Sequence, residues 1–168
     1  AITYQDMTSR KRREANVAFL ADIAGDLSQH TTVDGITRVL GEKTGRHLDV
    51  AFCEFAALDR ANDRIDFLGR WNATGTPQLP ERVHLSDQAT VEFLEAARAG
   101  EPLVATDTQT DPPTPIEGNA LDSVRSFVAI PMHRDGELRY LFAVHDSRPR
   151  EWREDEIELV RDIGQRVF

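Results

Sequence analysis

The sequence predicts an α+β fold. Three observations carry this reading: helical apolar spacing at both ends of the chain, a central segment that is apolar at nearly every position, and two hairpin-like strand pairs between the helices. With 168 residues, 40% hydrophobic and 29% charged, the chain is long enough for one domain plus a short extension and apolar enough to bury a core.

Residues 1–5 alternate like the tail of a strand, and Asp6 or Thr8 is placed to cap a helix reaching Gln29. Within it Val17, Leu20, Ala24 and Leu27 recur at spacings of three, four and three, a coiled-coil-like seam. Phe19 and Ile23 lie on an adjoining row and widen the apolar face enough for packing on the domain itself. Thr31 or Thr32 then caps a second helix, with Val33, Ile36, Val39 and Leu40, ending near Gly45. The run DVAFCEFAAL, from Asp49 to Leu58, reads as a strand covered on both faces. Residues 60–63, RAND, make a turn into a hairpin partner from Arg64 to Trp71. A helix over Thr90–Ala99 closes at Gly100, and Pro102 to Thr106 follows as a short strand.

Residues 107–119 hold three prolines and a Gly-Asn pair, a long loop of the kind that carries function. A brief helix over Leu121–Arg125 precedes a second hairpin, SFVAIPMH and LRYLFAVH around the turn Arg134-Asp135-Gly136. Glu154, Asp155 and Glu156 then place negative charge at the start of a last helix, where Ile157, Val160, Gly164 and Val167 step by three, four and three. Arg153 is a poor cap for it.

Several function classes are excluded by composition. Twenty Lys and Arg against 29 Asp and Glu give a net charge of -9, which repels a phosphate backbone, so nucleic acid is not an expected partner. The basic run Arg10–Arg13 reads as a solvated helix face. No apolar run approaches the roughly 20 residues of a spanning helix, and charges interrupt the amino-terminal segment where a secretory signal would be apolar. A cytoplasmic location without membrane contact is expected. Cys53, the one cysteine, allows neither an internal disulfide nor a thiolate cage and reads as a buried inert thiol. The histidines at 30, 47, 84, 133 and 145 lack ligand spacing, so no metal is expected, and no catalytic motif is present.

The order of elements resembles that of the GAF domain. The segment VRSFVAIPMHRDGELRYLFAVHDSRPREWREDEIELVRDIGQRVF is similar to the last third of GAF domains from bacterial sensor histidine kinases, including phytochrome-related ones, and GEPLVATDTQTD resembles their preceding strand and loop. The likeness covers residues 15–168. It implies an antiparallel sheet with the terminal helices bundled on one face and a ligand pocket on the other, serving as regulatory input. ITYQDMTSRKRREAN resembles the exit of a PAS domain through Asp6, Met7, Thr8, Arg10, Lys11 and Glu14, which implies that residues 1–14 are the end of an upstream PAS domain and a linker helix, with a kinase as output.

On this resemblance His145 matches a strand-end histidine that faces the ligand, the alternative being a histidine tied to a loop. Arg125 is a clamp for an anionic ligand, or else an ion-pair partner of Asp122 or Glu117. Asp107 and Asp111 are candidates to bind a ligand amine or cation, or else cap turns. Relatives with a covalent tetrapyrrole attach it to a Cys followed by His before the last hairpin. Residues 107–126 contain neither, and the Asp-Ile-Pro signature is replaced by DPPTPIEG, so no covalent bilin is expected. The Asn-Lys-Phe-Asp-Glu signature of cyclic-nucleotide GAF domains is absent. GAF-type methionine sulfoxide reductases use several cysteines, and this chain has one. Val17, Leu20, Leu27, Ile157, Val160 and Val167 are expected to form the dimer and relay surface of the terminal helices in a homodimer. The competing reading is a dimerisation or scaffold module without a ligand.

Overall fold

Helix α1 (Tyr4–Leu27) is continuous across the expected linker boundary at residues 14 and 15, so Asp6 and Thr8 are positions within the helix and do not precede it. The computed structural model describes residues 4–76, 81–111 and 123–167. Thr32 caps α2 (Val33–Leu48), its side chain accepting from the Gly35 N–H at 3.2 Å. The helix runs past Gly45 to a left-handed Asp49, φ 53°. Gly45 is a contact point inside the helix and not its end. A Cβ there would fall 2.0 Å from Cζ3 of Trp71.

Six strands form one antiparallel sheet: β1 (Phe52–Asp59), β2 (Arg64–Asn72), β3 (Arg82–His84), β4 (Leu103–Ala105), β5 (Ser126–Arg134) and β6 (Glu137–Asp146), in the spatial order β3-β2-β1-β6-β5-β4. The β5–β6 turn has Asp135 at φ 54° and Gly136 at φ 77°, two left-handed residues that match the twist of a tight hairpin. Between β1 and β2 a bulge leaves Leu68 unpaired, with Phe55 opposite Gly69 and Ala56 opposite Phe67.

Alternation along the strands builds two cores. Cys53 and Phe55 of β1, Val128 and Ile130 of β5, and Phe142 and Val144 of β6 face α2, α1 and the last helix, α5 (Glu154–Val167), meeting Ile23, Leu40, Leu159, Val160 and Ile163. The Phe55 and Phe142 rings stack at 4.4 Å. On the other face Phe52, Ala56, Phe127, Ala129, Leu141 and Ala143 pack with Phe67 beneath the short helix α3 (Leu85–Gln88) and α4 (Val91–Ala99). The terminal helices therefore share one face, as expected.

Glu156 supplies the cap that Arg153 lacks: its carboxylate accepts from the Arg153 N–H at 3.0 Å, the return half of a capping box. Of the seam residues on α1, Val17, at 67%, and Ala24 are exposed. Leu20, Leu27, Ile157 and Val167 are half-buried against the helix-side core. Val160, expected on the dimer and relay surface, is fully buried in that core. Ser123–Arg125 are not helical, and the rest of the expected 121–125 helix, with loop residues 112–119, lies outside the described residues. No described helix is long and apolar enough to cross a membrane.

Candidate functional site

Glu54 is a carboxylate in the middle of a strand whose two faces are both covered, at 3% exposure. A charge so placed demands partners. Register supplies them: Glu54 sits opposite Arg70 on β2 and Ala143 on β6, and one pair along, on the same face, Phe52 sits between Asn72 and His145. Arg70 Nε lies 2.7 Å from Glu54 Oε1, and His145 Nε2 lies 3.2 Å from Glu54 Oε2. The Arg70 guanidinium covers the Phe67 ring at 4.1 Å, and the His145 ring tilts against Phe127 at 6.1 Å. Burial alone would raise the Glu54 carboxyl. The close approach of His145 and the Arg70 charge outweigh it and hold that carboxyl below the usual range. His145 Nδ1 and Asn72 Oδ1, both buried, have neither a hydrogen-bond nor an ion-pair partner among the described residues.

The other predicted residues gather separately. Arg125 donates through Nε and Nη2 to Asp107, at 2.9–3.1 Å; the expected partners Asp122 and Glu117 lie outside the described residues. Arg125 holds the Asp107 carboxyl below its usual range. Asp111 accepts from the Thr106 hydroxyl, from Thr106 N–H at 2.8 Å and from Asp107 N–H at 2.9 Å, which fastens the turn after β4. Asp107, Asp111 and Arg125 thus organise the start of the long loop, while His145 turns to Glu54. Sequence reasoning passed over Glu54 and Arg70, although a lone charge inside DVAFCEFAAL was a usable signal.

Behind His145 the chain crosses to the helix face. Asp146, 3% exposed, lies 3.4 Å from Arg150 Nη1. Arg150 Nη2 donates to Leu48 O at 2.8 Å and to Glu156 at 2.7 Å, and Nη1 donates to Asp49 O at 3.1 Å. Its guanidinium rests 4.5 Å from the Trp152 ring, whose N–H donates to Ala105 O at 3.2 Å. One side chain joins the end of β6, the end of α2 and the first turn of α5. Asn16 of α1 reaches the same turn, donating to Asp155 O at 3.1 Å.

Cys53 points to the helix face, away from His145, and is fully buried. Burial, with the neighbouring Glu54 charge, pushes its thiol above the usual range. Among the described residues no His, Cys, Asp and Glu cluster has the makings of a metal site.

A six-stranded antiparallel sheet with three helices behind it and a buried polar group on its opposite face defines an α+β module. The chain belongs to the GAF domain family, whose description matches residues 26–167. Solved structures share the fold at low identity. The GAF domain of a phosphoenolpyruvate-protein phosphotransferase from Coxiella burnetii superposes with a TM-score of 0.73 at 13% identity, covering 92% of this chain and 91% of that one. A phycocyanobilin-bound GAF domain from a cyanobacterial phytochrome gives 0.71 at 16%, covering 90% and 91%. The free methionine-R-sulfoxide reductase of Neisseria meningitidis, in complex with its substrate, gives 0.70 at 14%, covering 92% and 89%. No curated protein matches the sequence.

Proposed function

We propose that this domain is the sensory input of a multidomain signalling protein, a two-component sensor histidine kinase, holding a small molecule on the α4 side of its sheet. The observation that carries the reading is the buried group itself. His145 Nδ1 and Asn72 Oδ1 lie beside the Glu54–Arg70 pair with no described partner, and buried polar atoms left that way are where a ligand's polar groups are received. Structural neighbours named as bilin-bound or substrate-bound support a ligand on this fold. Cys53 lies on the wrong face to reach it, so the ligand is held without a covalent bond. A change at His145 passes through the next residue, Asp146, to Arg150 and Glu156 and so to the start of α5. The sensor-kinase reading brings with it an upstream PAS domain ending near residue 14, a cytoplasmic location and a homodimer.

Native mass spectrometry of the purified protein, followed by a thermal-shift screen, tests this. The expected result is a retained or stabilising small molecule whose effect is lost in both Glu54→Gln and His145→Ala. Stabilisers that act equally on both variants would overturn the site. A second reading, a scaffold that only dimerises, is favoured by one observation: Val17, Ala21 and Ala24, spaced by four and three, are exposed on α1. Sedimentation of Val17→Glu separates the two, since a dimer lost in that variant together with an empty ligand screen selects the scaffold.

A further inference from the structure

At the far end of the sheet from His145 a cleft of about 530 Å³ opens between the β1–β2 turn, the last turn of α4 and the β5–β6 hairpin tip. Its rim carries Arg60, Arg98, Arg139 and His133 against Asp59 and Glu137, and the buried Leu58 and Leu138 close its floor. Both acids are already engaged. Asp59 accepts from Asn62 at 2.8 Å and pairs with Arg64 at 3.3 Å, and Glu137 pairs with Arg139. The side chains of Arg60 and Arg98 make no hydrogen bond or ion pair among the described residues.

Two guanidiniums without an ion pair thus line one concavity with a histidine, in a chain whose net charge is -9. Like charges held together repel, and an anion between them removes that repulsion. The guanidinium fork matches the paired oxygens of a phosphate or carboxylate. We infer that this cleft is a second ligand site, taking a small dianionic molecule of the phosphate-ester or dicarboxylate class. The volume falls within the range of roughly 300–1,000 Å³ typical of small-molecule sites. It is separate from the buried Glu54 group: Glu54 and Leu58 are four residues apart on β1, on the order of 13 Å.

The test is a two-dimensional amide NMR titration of the whole chain with inorganic phosphate and, separately, malonate, at constant ionic strength, with sodium chloride as the reference. Saturable shifts at Arg60, Arg98, His133, Gly136 and Arg139 are expected, with millimolar affinity. In the double variant Arg60→Gln, Arg98→Gln affinity falls roughly tenfold or more. Arg46→Gln, which removes an equal type of charge from α2, leaves it unchanged. Phosphate acting alone narrows the class to phosphate esters, and both acting supports the wider class. The inference is overturned if chloride reproduces the shifts, if no saturable shift occurs, or if the double variant binds as the parent does. Glu54→Gln leaves this titration intact, so failure here and failure of the sensing site are told apart.

Discussion

Removing the Glu54 carboxylate is expected to destabilise the domain more than any surface substitution. In Glu54→Ala the Arg70 guanidinium, 15% exposed, loses the oxygen 2.7 Å from its Nε, and His145, 8% exposed, loses the one 3.2 Å from its Nε2. Both face an apolar layer that includes Phe52, Ala143 and Phe127. Breaking a buried pair by deleting one member costs about 3–5 kcal/mol, because the survivor's charge stays in a poor solvent. For a domain of this size that lowers the melting temperature on the order of 10 °C. Urea unfolding followed by tryptophan fluorescence measures the loss, since Trp71 and Trp152 both belong to the helix-side core. Replacing both partners, Glu54→Leu with Arg70→Met, is expected to recover most of it. A loss under about 1 kcal/mol in Glu54→Ala would place the pair with exposed salt bridges and refute the argument. The acid limb gives an independent reading. The folded carboxyl titrates below its unfolded value, so its stabilisation is complete above the unfolded pKa and disappears as pH falls through the folded one. Glu54→Gln should therefore flatten the decline of stability in that acid window, and an unchanged slope would deny Glu54 this part.

Arg150→Ala is expected to cost about 2–4 kcal/mol through the stranded Asp146 and Glu156, with faster amide exchange in the first turns of α5; exchange confined to the 147–150 loop would contradict it. Gly45→Ala should destabilise by about 1–3 kcal/mol despite better helix propensity and should alter the near-ultraviolet signal of Trp71, whereas a gain in stability would show that the indole moves away freely. Cys53 should resist a disulfide reagent in the native protein and react at the rate of unfolding, and rapid labelling without denaturant would refute its burial.

How much was legible in the sequence depended on whether a signal was local. Thr31 or Thr32 as a cap and Gly100 as a close were read from their own chemistry, and Thr32 and Gly100 are those ends, while Thr90, read as the first residue of its helix, is the cap. The Asp135-Gly136 turn and the doubly apolar β1 were likewise plain. Gly45 misled because a glycine that stops a helix and a glycine that admits a tryptophan look alike until β2 is placed beside α2. The cap of α5 was missed because its oxygen comes from Glu156, three residues inside the helix, while the cap position holds Arg153. β3 and α3, three and four residues long, are too short to show a period. His145 was found at a strand end. Glu54 and Arg70 escaped because pairing between two strands decides which charges meet, and residues 54 and 70 carry no mutual mark in the chain.

The glycines that face α2 and β2 have a mechanical consequence. Gly41 and Gly45 meet Trp71, and Gly69 meets Thr37, at distances that leave no room for even one added carbon. Helix α2 and β2 thus meet with a side chain of one seated on a glycine of the other, a steric fit that carries no charge. Helix α5 is fastened at its start by ion pairs and carbonyl contacts around Arg150, and along its length by Leu159, Val160 and Ile163 in the helix-side core. The two attachments differ in kind: α2 is set against β2 by steric fit, whereas the start of α5 is tied by polar groups that one side chain, Arg150, gathers.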